Sequence, residues 1–114
     1  MKNTLTDKDR LYHIIDAIKN IENFSAGVSY ETYIEDYKLR LALVKLLEIV
    51  GEASNGITLE TQERFPEVEW AVLKGIRNIL VHEYFGIDYD IVWESITQSI
   101  PALKIKIEKI FNEL

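Results

Sequence analysis

VLKGIRNILVHEYFGID, from Val72 to Asp88, decides how the chain is read. At about 100° per residue, Val72, Leu73, Ile76, Ile79 and Leu80 fall within one sector of roughly 120°. That is the stripe of a helix lying on a core. The opposite side holds Lys74, Arg77, Asn78, Val81 and His82, so this helix turns its cations away from its own bundle. Asn78 and His82 are four apart and can touch. Arg77 and His82 are five apart, about 140° around the helix, and do not share a line. The long Arg stem still lets both heads reach one phosphate in front of Val81; alternatively, the residues of two chains interleave there. Pro66 is a favoured first helical residue, with Glu67 and Glu69 in the first turn. The helix is expected to fray between Tyr84 and Gly86, and Asp88 to cap the next one.

The same rhythm extends outward in both directions. Thr6 is a good N-cap with Asp9 at the capping-box position. Leu11, Ile14, Ile15, Ile18 and Ile21 then form one stripe, and Gly27 ends it. A second helix is expected from about Tyr30 to about Ala53. Tyr33, Ile34, Tyr37, Leu41, Val44 and Leu47 form its stripe, while Leu39, Leu43, Leu46 and Val50 put apolar surface on other sides. A helix apolar nearly all round is buried on several faces, which in a small monomer hints at self-association. The stretch SNGITLETQERF reads as a polar connection. Near the C-terminus Ile100, Leu103, Ile107, Ile110 and Leu114 show heptad-like spacing, with Pro101 marking a kink or two abutting helices. No segment shows the period-2 alternation of paired strands. The expected fold is all-α: one antiparallel bundle of four to five helices over residues 1–114.

The totals narrow the function classes. The chain has 114 residues and no cysteine, which excludes disulfides and thiolate metal sites. Two histidines distant in sequence do not make a His-rich metal site, and no metal or cofactor is expected. The longest apolar stretch, Leu39 to Val50, is broken by Arg40, Lys45 and Glu48 and cannot span a bilayer. A cytoplasmic protein without a membrane partner is the expectation. The net charge of −6 argues against broad coating of nucleic acid. It leaves room for one local cationic site.

RNILVH matches the Arg-x4-6-His signature of HEPN-domain proteins, with a polar residue directly after the Arg. RNILVHEY also fits the longer Arg-x4-His-x-Tyr form of HepT-type toxins. LLEIVGEAS (Leu46 to Ser54) resembles that family's helix-2 ending. FPEVEWAVLKGIRNILVHEYFGID resembles the run from a Pro-x-x-x-Trp helix start to the next cap. The resemblance covers most of the chain and implies a HEPN bundle that pairs as a homodimer, dimerising through helices. It further implies an RNA substrate, cleaved without metal in a cleft between two protomers. The implied partner is an MntA-type nucleotidyltransferase antitoxin that silences the toxin by AMPylation, in a type VII-like pair. Carried over by position, Arg77 and His82 are the catalytic pair, Asn78 is supporting, and Tyr84 is the modification site. Lys74 adds a further supporting cation on the same helix.

The chemistry suits those residue types. RNA carries its own nucleophile, the 2′-OH. Cleavage needs a base near that hydroxyl, an acid near the 5′-oxygen, and positive charge on the phosphorane. His takes either proton role, and Arg grips phosphate oxygens in pairs. Two chains supply two of each. AMP on Tyr84 would set a phosphate and a purine beside Arg77 and block the cleft. A different class of function is a non-catalytic nucleotide- or substrate-binding partner of a small nucleotidyltransferase, with Arg77 and His82 holding a phosphate that is never cut. A plain dimeric scaffold is the third reading, and it leaves the basic face unexplained.

Other residues have plainer readings. His13 lies opposite the Leu11/Ile18 stripe, with no cationic company beyond the chain's ordinary charge, and reads as a solvated surface residue. Trp70 and Trp93 are core or interface residues. Gly51 and Glu52 are a packing feature. Asp36 and Arg40 are spaced to pair.

Overall fold

The computed structural model describes residues 5–82 and 86–114, with side chains for all of these except residues 77–82. The described chain is helical throughout and shows no strand. Its elements are α1 (Asp7–Ser25), α2 (Tyr30–Glu35), α3 (Tyr37–Asn55), α4 (Leu59–Arg64), α5 (Trp70–His82), α6 (Tyr89–Glu94), a π-helical turn (Ser95–Ser99) and α7 (Ile100–Glu113).

Helix α1 starts as its sequence dictates. The Thr6 hydroxyl accepts from the Asp9 N–H and the Asp9 carboxylate accepts from the Thr6 N–H, both at 3.0 Å. All five stripe residues, Leu11, Ile14, Ile15, Ile18 and Ile21, are buried. The chain turns at Gly27, whose φ of 71° lies in the left-handed region that a side chain disfavours.

The long second helix of the sequence reading is in fact two. Asp36 breaks it: its carboxylate accepts from the Leu39 N–H at 2.9 Å and so caps α3. Arg40 reaches back to the end of α2, donating to the carbonyls of Tyr33 and Ile34, and lies against the rings of Tyr37 and Tyr89. Asp36 and Arg40 therefore serve α3 and α2 separately and do not pair. The break also resets the apolar phase. Tyr33, Val44 and Leu47 are buried as expected, while Ile34, Tyr37 and Leu41 are exposed. Within α3 the buried line is Leu43, Val44, Leu47, Val50, Gly51, Ala53 and Ser54.

Helix α3 is the hub of the bundle. It packs against α1, α2, α5 and α6, and α1 also packs against α7. Neighbours within one chain thus account for most of the all-round apolarity that hinted at self-association. The connection after α3 is not irregular. Thr58 caps α4, and the Asp7 carboxylate accepts from the Thr58 N–H (3.0 Å), the Thr58 hydroxyl (2.6 Å) and the Thr61 hydroxyl, fastening α4 to the start of α1.

At the C-terminal end Asp88 caps α6 by accepting from the N–H groups of Asp90 and Ile91. Pro101 sits in the first turn of α7, directly after the π-helical turn. A ring without an N–H cannot continue the ordinary helical bonding, and the widened turn absorbs the missing bond. Ile100, Leu103, Ile107 and Ile110 are buried, and Leu114 packs at the edge of the core. Among the described residues no helix is long and apolar enough to cross a membrane.

Candidate active site

Helix α5 begins at Trp70, not at Pro66. Pro66 stands in a turn between α4 and α5. What fixes the start is a plug of large side chains: Phe65, Val68 and Trp70 are all buried. The Trp70 indole N–H donates to the Phe65 carbonyl at 3.0 Å, and the Trp70 backbone N–H donates to Val68 at 2.9 Å. Burying an indole with its N–H satisfied makes a rigid anchor. The other tryptophan, Trp93, packs against Tyr33 with ring centroids 4.6 Å apart. Both belong to the packing, as read from the sequence.

From that anchor α5 runs along α3. Leu73 is buried and Ile76 packs against the core, but Val72 is 52% exposed, so the core stripe is narrower than its periodicity implies. Arg77, Asn78 and His82 occupy the last two turns of α5. At 1.5 Å per residue, His82 stands roughly 18 Å along the helix from the Trp70 anchor. The side chains of Arg77, Asn78 and His82, and the whole of Tyr84, lie outside the described residues. Helix register alone puts Asn78 and His82 on one edge and Arg77 about 140° from His82.

Lys74 is described. Its ammonium donates to the Gln62 side-chain carbonyl on α4 at 3.4 Å, and the Gln62 amide in turn donates to the Ile57 carbonyl at 2.9 Å. This contact aims Lys74 toward α4 without neutralising it, because an amide carries no charge. One turn before Arg77 the helix therefore holds a cation that meets no carboxylate among the described residues. That arrangement suits a polyanionic ligand.

Beyond the motif the described residues resume at Gly86. Ile87 packs at the core edge and Asp88 is engaged in capping α6. Tyr33, fully buried, donates its hydroxyl to the Tyr89 carbonyl at 2.8 Å and ties α2 to the start of α6. Burial pushes the Tyr33 phenol well above its ordinary range, so it stays neutral and a donor. The Trp70 anchor before the motif and the Asp88 cap after it thus both belong to the packed bundle.

His13 has more company than its sequence neighbourhood suggested. It lines an open groove of about 630 Å³ between α1 and α3, together with Arg10, Lys45, Glu48 and Glu52. Arg10, three residues before His13, was visible in the sequence. Lys45 reaches the groove only through the packing of α3 on α1. Glu48 and Glu52 line the groove beside the cations, so its lining is mixed in charge. Gly51 is buried in α3, in keeping with a packing role. Among the described residues no group of His, Asp and Glu side chains is arranged to hold a metal ion.

Comparison with known proteins completes the picture. The family model described as Ribonuclease HepT-like matches residues 14–110. A protein of Methanocaldococcus jannaschii named "Putative RNase" is 38% identical over 98 residues, covering 86% of this chain and 90% of the relative. A Thermococcus cleftensis protein named "Probable ribonuclease HepT" is 38% identical over 103 residues, 90% of this chain and 94% of the relative. A further "Putative RNase", from Caldanaerobacter subterraneus, is 35% identical over 108 residues, with 95% and 96% covered. No solved structure matches the chain. With its all-α bundle, its Arg-x4-His motif closing α5 and a family match spanning most of its length, this chain belongs to the HepT-like ribonuclease family of HEPN proteins.

Proposed function

We propose that the protein is a metal-independent endoribonuclease acting as a homodimer. Its active site is a cleft between two protomers, and it serves in the cytoplasm as the toxin of a toxin–antitoxin pair. The observation that carries this reading is the position of Arg77, Asn78 and His82 within the final two turns of one anchored helix, with Lys74 one turn earlier facing no carboxylate among the described residues. The names of the relatives point the same way.

In the reaction His82 of one protomer takes the proton from the ribose 2′-OH. The oxygen attacks the adjacent phosphorus and the bond to the 5′-oxygen breaks. His82 of the partner subunit gives the leaving oxygen its proton. The products are a 2′,3′-cyclic phosphate and a free 5′-hydroxyl. Arg77 holds the phosphorane oxygens, where preorganised positive charge is worth most. Asn78 orients the imidazole or donates to phosphate, and Lys74 adds to the local field. Tyr84 is the acceptor of AMP from an MntA-type nucleotidyltransferase antitoxin.

The test is cleavage of RNA by the purified protein in the presence of EDTA. Activity is expected, and His82→Ala is expected to remove it with helix content unchanged. Cleavage that survives that substitution would end the proposal, and cleavage that EDTA stops would end its metal-independent form. Co-expression with a neighbouring nucleotidyltransferase should add AMP to the wild-type chain, read by intact mass, and none to Tyr84→Phe.

A further inference from the structure

Gly75 stands in the middle of α5, where glycine weakens a helix relative to alanine. One other described glycine has a clear reason within the chain: Gly27 has positive φ. A Cβ at Gly56 would meet the Arg10 guanidinium, the movable end of a long side chain. Gly75 has neither feature: a Cβ there would meet no atom within 4 Å. The space over it is open, so nothing in the protomer's own packing calls for a residue without a side chain. A glycine that exposes helix backbone to open space is suited to the close approach of a second backbone.

The surroundings say which kind. Val72, one turn earlier on the same edge, is half exposed. Beside it a groove of about 190 Å³ runs between α5 and α7, lined by Val72, Leu73, Ile76, Ile100 and Leu103, with Glu69 and Lys106 at its margin. An apolar floor with one charge of each sign suits a copy of the same face and does not suit an RNA backbone. The proposed chemistry asks for the same occupant. Helix α5 carries one histidine, and His13 belongs to the groove between α1 and α3. The second imidazole must come from another molecule.

From this we infer that α5 of a second copy crosses α5 at Gly75, which lies at or beside the two-fold axis. The inference rests on the two-protomer reading above and adds the point of contact. His82 is seven residues beyond Gly75, two turns along the same helix line and about 10 Å away. A shared cleft requires the acute crossing, with both C-terminal halves of α5 on the same side of the contact.

The native chain has no cysteine, so one introduced thiol reports one position. At a two-fold axis residue 75 meets its own copy. Under mild oxidation Gly75→Cys should convert the full-length protein to a covalent dimer about tenfold faster than Lys19→Cys on the exposed side of α1, because a disulfide needs Cα atoms roughly 4.4–6.8 Å apart. Gly75→Leu should raise the dimer dissociation constant at least about tenfold in sedimentation equilibrium. Helix content and melting of the protomer should hold, since the new side chain meets open space. A wild-type monomer, or a dimer that neither cross-links at residue 75 nor responds to leucine, overturns the inference. So does Gly75→Leu raising KM for RNA with dimerisation unchanged, which would assign the open space to substrate. Cross-linking of Gly75→Cys beside a wild-type protein that cuts no RNA upholds the contact and removes the nuclease.

Discussion

The junction of α1 with α4 and the outer edge of α5 are finished to different degrees. At the junction a set of Thr and Asp side chains is engaged inside the chain. Thr6 and Asp9 cap each other, and Asp7 takes three hydrogen bonds from Thr58 and Thr61. Along α5, Lys74 meets a neutral amide and no carboxylate among the described residues, Val72 stands half exposed, and Gly75 faces open space. The first region is complete in one protomer. The second makes sense when something else is added to it.

The largest effect should come from breaking the unfinished region. Arg77→Lys keeps the charge and loses the planar fork that grips two phosphate oxygens, so RNA cleavage should fall on the order of 10²-fold or more. Single-turnover assays with intact folding checked by circular dichroism would measure it. Retention of most activity would mean that Arg77 supplies charge alone. With one imidazole as base and another as acid, wild-type activity should follow a bell-shaped pH profile.

Next is the anchor that holds α5 in place. Trp70→Ala empties a buried indole site and should cost about 3–5 kcal/mol in denaturant unfolding. Trp70→Phe keeps most of the packing, leaves the Phe65 carbonyl without its donor, and should cost roughly 1–2 kcal/mol. Equal losses for both variants would show that packing around Trp70 matters less than the hydrogen bond.

The finished region should respond more mildly, and with a definite pH dependence. Burial alone would raise the Asp7 carboxyl, but hydrogen bonds from Thr58 and Thr61 outweigh it and hold the group below its usual value. A carboxylate with a depressed folded-state pKa contributes its stability above the unfolded value of about 3.9 and loses it as pH falls through the folded value. Asp7→Asn should therefore cost about 1 kcal/mol at neutral pH, kept small by solvent screening, and little at pH 2. A deficit that persists in acid would point to lost packing in place of lost charge.

The smallest effect, and one of opposite sign, belongs to Gly75. In a dilute protomer Gly75→Ala should stabilise α5 by up to about 1 kcal/mol, because the new methyl meets nothing. Thermal melting across a concentration series would separate this gain from any loss of association.

The same contrast explains what was legible in the sequence. The capping box at Thr6, the α1 stripe, the Asp88 cap and the buried line of α7 rest on local rules, and each appears as read. Asp36 did not announce a break, because neither glycine nor proline stands beside it. The break depends on Arg40 capping the end of α2 and on Tyr33 reaching Tyr89, a contact 56 residues away. Helix α4 was hidden because a six-residue polar helix held by Asp7 carries almost no apolar period. Pro66 looked like a helix start, but the buried trio Phe65, Val68 and Trp70 sets the start four residues later. At the site, the identities of Arg77, Asn78, His82 and Tyr84 came from the motif and its resemblance. The tether of Lys74 to Gln62 and the open space over Gly75 are tertiary facts with no local signal.

The central claim, that two protomers build one cleft, is tested most directly by mixing. Wild-type and His82→Ala chains, unfolded and refolded together in varied proportion at fixed total protein, pair at random, and RNA cleavage is followed against the wild-type fraction. If each cleft needs His82 from both chains, activity falls with the square of that fraction, to about one quarter at equal mixing. A linear decline, with about half the activity at equal mixing, would show that each chain cuts alone and would contradict the shared cleft.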